Sequence, residues 1–240
     1  MQLEICPKCS CRHPVPVDIC PHCGVIYAKV AEVDARRSHE EVSTPPGRMG
    51  QLLFAAKGGE NVTVIGIKAV FLAVLSLYGV KLIRTPILAF PDSGWWLHGV
   101  NLVFHEAGHV LFMPFGRFVH LLGGTLGQLL VPAVVTGAFL RRRDIFGAVV
   151  GTWWLGENFL DSAPYINDAR ALQLMLLGGV TGSEVEDYHD WEGVLGRMGM
   201  LQYDHTLARI AFTTGSVLML AAMVWGCYIL WKEYAGRYRS

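Results

Sequence analysis

The sequence predicts a mainly α fold, a polytopic transmembrane helix bundle of four or five spans carrying a small cysteine-rich module at its N-terminus. Three observations predict it. Hydrophobic residues make up 52% of the 240 residues and charged residues only 17%, against about 25% charged in an ordinary soluble domain. Mean hydropathy is +0.36, and beyond a polar opening the chain runs in long apolar stretches broken by islands of charge. Of the 6 cysteines, all but Cys227 fall between Cys6 and Cys23. The formal net charge is zero, so bulk charge predicts no nucleic-acid partner.

The N-terminal module is read from two CPxC knuckles, Cys6-Pro7-Lys8-Cys9 and Cys20-Pro21-His22-Cys23-Gly24. Together they offer four soft ligands for one tetrahedral zinc. Each proline and the closing glycine favour the tight turn that lets both sulfurs of a knuckle converge. The gap between the knuckles is short, so the module has little core and metal binding supplies most of its folding energy. We expect a zinc ribbon over residues 1–30 with a structural zinc on Cys6, Cys9, Cys20 and Cys23; a redox or disulfide pair is the alternative. Cys11, His13 and His22 are spare candidates, read as bystanders. Clustered CxxC pairs fit a reducing compartment, which predicts a cytoplasmic N-terminus. Residues 1–30 lack an apolar core segment, so no secretory signal is expected there.

Residues 31–60 read as a linker: Glu32 to Glu41 is charged and suits a short helix, and Ser43-Thr44-Pro45-Pro46-Gly47 breaks it. Residues 61–240 hold the membrane segments. The first candidate span is Val62 to Ile83, in which Lys68 and Lys81 must snorkel. The second, Trp95 to Phe115, opens with two tryptophans at an interfacial depth and closes at Pro114. Phe118 to Leu140 is rich in glycine and reads as a third span or a re-entrant element. Ile145 to Leu160 and Thr206 to Trp231 follow. With the cysteine module inside, five crossings leave Arg141-Arg142-Arg143 and the basic tail outside. A re-entrant Phe118–Leu140 puts both inside, as the positive-inside rule prefers.

The second candidate span contains His105-Glu106-Ala107-Gly108-His109. HExxH on a helix sets two imidazoles one turn apart on one face, where both can hold one zinc. The glutamate between them points about 100° away and reaches a water on the metal. His98, Asn101, His105 and His109 form a polar stripe on an otherwise apolar helix, and such a stripe must face protein or trapped water. A catalytic zinc takes a third protein ligand. The downstream segment from Gly156 to Ala169 supplies three candidate carboxylates, Glu157, Asp161 and Asp168.

At these residues the chain resembles the site-2-protease-like intramembrane zinc metalloproteases. They carry HExxH on one transmembrane helix and an aspartate ligand in an N-x-x-P…L-D-G segment on a later one, often with a glycine-rich membrane hairpin between. The first motif is His105 to His109; the second is matched loosely by Asn158, Pro164 and Asp168-Ala169. The resemblance covers residues 95–170. It implies His105 and His109 as ligands, Glu106 as catalytic base and Asp168 as third ligand. Asp161 competes for that place, and Glu157 with Asp161 also reads as the E-x-x-x-D of soluble HExxH proteases. Gly182 to His205 is expected as a short polar cap outside the spans, where His189 and His205 are solvated or hydrogen-bonded at the membrane edge; orienting a ligand or gating the site is the alternative.

The expected function is a zinc-dependent intramembrane endopeptidase with one catalytic and one structural zinc. It would act on a membrane-protein or peptide substrate within the lipid bilayer, and the zinc ribbon would meet a protein partner. A non-catalytic membrane scaffold or sensor and a membrane iron oxidoreductase are its rivals.

Overall fold

In hydrocarbon every backbone N–H and C=O must be satisfied within the protein, and a helix does so along its own length. The apolar runs accordingly fold as helices. A computed structural model describes residues 3–6, 8–14, 18–30, 50, 53–54, 60–91 and 96–237. Trp95 and most of the linker, including Glu32 to Glu41, lie outside these. The chain divides into two units, residues 1–51 and 52–240.

In the first unit β1 (Leu3–Ile5) pairs antiparallel with β2 (Arg12–Pro14), Leu3 opposite Pro14. An isolated bridge joins Ile19 to Ile26.

In the second unit α1 (Val62–Arg84) starts at Asn61, whose side chain accepts from Thr63 N at 2.9 Å. Lys81 and Arg84 lie in its last turn, where positive charge suits the helix dipole. α2 (Trp96–Phe112) gives way to a 3₁₀ turn, Met113–Phe115, built on Pro114. Gly116, at φ +91°, reverses the chain into α3 (Arg117–Arg141). A tight turn through Arg142 and Arg143 leads to α4 (Ile145–Asn167), capped by Asp144, which accepts from Gly147 N. A long loop then reaches the short α5 (Asp190–Met198). Gly199, left-handed at φ +66°, ends it before α6 (Asp204–Gly236).

Three of the described helices are long and apolar enough to cross a membrane: α1, α3 and Leu201–Gly236. The structure corrects two sequence expectations. Phe118–Leu140 is not a re-entrant hairpin but lies within one unbroken helix. Its glycines serve close packing instead of a turn: a Cβ at Gly127 would lie 2.6 Å from Phe104 O, and one at Gly123 2.9 Å from Gly108 O. Small residues let two backbones approach in this way. The segment after Ile145 does not end near Asp161 but continues as helix through Pro164 to Asn167.

A second glycine seam joins α4 to α6, where a Cβ at Gly156 would lie 2.8 Å from Gly215 O. The apolar core surrounds it, with Val149, Trp153 and Leu160 of α4 against Met219 and Ala222 of α6 and Leu72 of α1. Lys68 does not simply snorkel. Its ammonium donates to Glu233 Oε2 of α6 at 3.1 Å, and that carboxylate side chain is only 5% exposed. Removing Glu233 leaves the half-buried ammonium only a longer contact with Glu60 at 3.7 Å among the described residues. We therefore expect Glu233→Gln to destabilise the detergent-solubilised protein by about 3 kcal/mol. The double variant Lys68→Met/Glu233→Met should recover much of that loss in the same thermal melt.

Candidate functional site

Four sulfurs come together in the first unit. Cys6 Sγ lies 3.7 Å from Cys23 Sγ, and Cys9 Sγ lies 3.8 Å from Cys20 Sγ. A disulfide would need about 2.05 Å, whereas a tetrahedral zinc with Zn–S near 2.3 Å sets its sulfurs about 3.8 Å apart. The four are free thiols, and no disulfide joins them. Each knuckle closes on itself: Ser10 N donates to Cys6 O and Gly24 N to Cys20 O, with Ser10 at φ +60° and Gly24 at φ +71°. Among the described residues, Cys11 and His22 stand outside this cluster, which could hold a metal ion. The His13 side chain lies outside the described residues.

The second gathering of ligand atoms is built on α2. His105 and His109 fall one turn apart and present Nε2 to one place. Each ring is held from behind. His105 Nδ1 donates to Gln128 Oε1 at 3.1 Å, and His109 Nδ1 donates to His120 O at 2.8 Å. A neutral imidazole that donates from Nδ1 keeps its lone pair on Nε2. Both lone pairs thus face inward, as a metal requires.

The carboxylate between them is Asp190. Its Oδ2 lies 3.2 Å from His105 Nε2 and 3.1 Å from His109 Nε2. Ligands on a zinc at about 2.05 Å stand roughly 3.4 Å apart, so Asp190 Oδ2 already stands at nearly that spacing from each imidazole, and the three donor atoms lie within 4.8 Å of one another. Tyr165 of α4 fixes the aspartate, donating from its hydroxyl to Oδ2 at 3.2 Å and accepting from Asp190 N at 3.0 Å. Asp190 opens α5, with His189 as N-cap accepting from Glu192 N at 3.1 Å. Burial pushes the His189 imidazole below its ordinary value, and its Nδ1 takes the Glu192 N–H as the cap of α5.

Gly124 completes the cradle. A Cβ there would collide with Nε2 of both His105 and His109. The space in front of the imidazoles therefore stays open only because this helix position has no side chain.

The sequence-predicted third ligands lie elsewhere. Asp168 does not face the imidazole pair: its two carboxylate oxygens accept from Gln173 N at 3.0 Å and Leu174 N at 2.9 Å, and it stands 3.5 Å from His189 Nε2. It staples the loop after α4. Asp161 also lies apart from the pair, accepting from His98, Asn101 and Gln128 at 2.9, 3.1 and 3.0 Å. Glu157 is fully buried and accepts from Asn101 Nδ2. His205 is exposed beside Asp204. Asp190 lies in the segment expected only as a polar cap. Its one legible signal is the triplet His189-Asp190-Trp191 in the longest polar stretch beyond the linker, and no spacing rule ties that stretch to HExxH.

Glu106, exposed on the next face of α2, lines a cavity of about 1020 Å³ together with His105, His109, Tyr165 and Asp190. The rest of the wall mixes apolar groups such as Leu102 and Leu121 with the charged Arg117.

We expect Gly124→Ala to abolish metal binding at the histidine pair while leaving metal on the four cysteines, measured as metal per chain in purified protein. Asp190→Asn should weaken the same site severely, and Asp168→Asn should leave the ligands intact. Comparison of the chain with protein-family profiles, curated proteins and solved structures finds no match in any of the three.

Proposed function

We propose that this protein is a membrane-embedded zinc endopeptidase that cuts a peptide bond in or near the bilayer. One observation carries the reading: two imidazole lone pairs and the Asp190 carboxylate converge on one point of a large cavity, with Glu106 on its wall. Two histidines and a carboxylate form the usual donor set of a hydrolytic zinc and leave a fourth position free. When bound, the metal supplies Lewis acidity toward a carbonyl and acidifies a water. Glu106 accepts that water's proton and returns it to the departing amine. Tyr165 and the His189 cap keep Asp190 in place. Gly124 leaves room for the substrate carbonyl. The substrate is a peptide or membrane-protein segment that has lost its helical hydrogen bonds locally, because a peptide bond inside a helix is shielded.

In this reading α2 and α4 lie in the bilayer against the three apolar spans, and Asp190 reaches them from the cap. The four-cysteine module carries a structural zinc and meets a protein partner on the cytoplasmic side.

The same donor set, two histidines and one carboxylate, is also that of non-haem iron oxygenases, which keeps an iron oxidoreductase as the second reading. Metal analysis separates the two. Two zinc ions per chain, falling to one in His105→Ala/His109→Ala, support the peptidase; iron at the histidine pair overturns it. Glu106→Gln should keep both metals and lower peptide cleavage by about 10²-fold or more. An unchanged cellular phenotype in that variant, with metal retained, would favour a scaffold instead.

A further inference from the structure

Asp161 is nearly buried in α4, and its surroundings are unusual for a segment packed against apolar spans. Its Oδ1 accepts from His98 Nδ1 at 2.9 Å, and its Oδ2 accepts from Asn101 Nδ2 at 3.1 Å and Gln128 Nε2 at 3.0 Å. Asn101 in turn donates to both oxygens of Glu157 at 3.0 Å and accepts from Trp154 Nε1 at 3.0 Å. Gln128 is the junction. Only 5% exposed, it is placed between the carboxylate and His105, whose Nδ1 lies 3.1 Å from Gln128 Oε1.

A primary amide has a donor end and an acceptor end, and a carboxylate offers acceptors only. Facing Asp161, the amide must turn its NH₂ toward the acid. Its oxygen is then committed to His105. That oxygen accepts only a hydrogen carried on Nδ1, which leaves the Nε2 lone pair aimed at the point shared with His109 and Asp190. Were the amide reversed, its NH₂ would confront Nδ1, and the proton of a neutral ring would move to Nε2, where it blocks a metal. His109 has no such need, because its Nδ1 meets a main-chain carbonyl that cannot turn over.

We infer that Asp161 is a positioning residue for the metal centre. Its negative charge fixes the orientation of the Gln128 amide, and through it the nitrogen that His105 offers to metal. The inference rests on the proposed metal centre and assigns Asp161 a place one hydrogen bond behind a ligand.

The test is a double-mutant cycle on the full chain, reading zinc affinity at the histidine pair by chelator competition, with zinc on the four cysteines as internal control. Asp161→Asn gives the amide a partner it can face either way, and Gln128→Met removes the amide. Each should weaken zinc binding by about 10- to 100-fold. The double variant should lose no more than either single one, because the two residues act in series. Asp161→Asn/Gln128→Glu should regain most of the affinity, since a carboxylate at residue 128 accepts from His105 Nδ1 without help. A merely structural acid would not be rescued in this way.

Wild-type affinity in Asp161→Asn, strictly additive losses, or no rescue would each overturn the relay while leaving the metal centre standing. Should wild-type protein bind zinc only at the cysteines, the metal-centre reading falls and the relay falls with it. If Asp161→Asn does not fold, Gln128→Met alone decides: affinity equal to wild type overturns the inference.

Discussion

A polar side chain inside an apolar bundle has to find its partner within the protein, and that constraint organises everything around α2. Its stripe of His98, Asn101, His105 and His109 is matched group by group from other helices. Asp161 and Glu157 of α4 answer His98 and Asn101; Gln128 and the His120 carbonyl of α3 answer the Nδ1 atoms of His105 and His109. Asp190 answers the outer ones from α5. Because unsatisfied groups are so costly there, the partners also define the geometry. The rings cannot turn without breaking a bond, and the backbones cannot separate without opening the glycine seam.

That seam supplies the second half of the arrangement. Gly108, Gly123 and Gly127 bring α2 and α3 into backbone contact, and Gly124 uses the same closeness to leave a space in front of the imidazoles. Packing and chemistry thus share one run of α3. The more distant seam between α4 and α6, with its apolar core, holds α4 steady so that Asp161 and Tyr165 stay in register with α2. Contact between small residues gives such helices their specificity where burial from water gives little.

Much of this was legible in the chain. The apolar runs gave the helices, because length and hydropathy decide that question on their own. HExxH gave the paired imidazoles, because helical spacing alone brings residues 105 and 109 together. The CPxC knuckles foretold the sulfur cluster for the same local reason. The third carboxylate was not legible. Asp168 and Asp161 stood where a familiar pattern would put a ligand, yet Asp168 is occupied by the N–H groups of Gln173 and Leu174, and Asp161 by His98, Asn101 and Gln128. Asp190 belongs to a cap whose position depends on a loop folding back over the helices, and no periodicity records that. Glycine in α3 misled in another way. It reads as a breaker from sequence, but in a helix pressed against another it is a contact surface.

The distance along the chain between the imidazoles and Asp190 has a consequence for biosynthesis. A ribosome finishes α2, α3 and α4 before it reaches the cap, so a partly made chain carries the histidine pair without its acid. The donor set of a chain still being made therefore stays open until the cap has emerged and folded back over the helices.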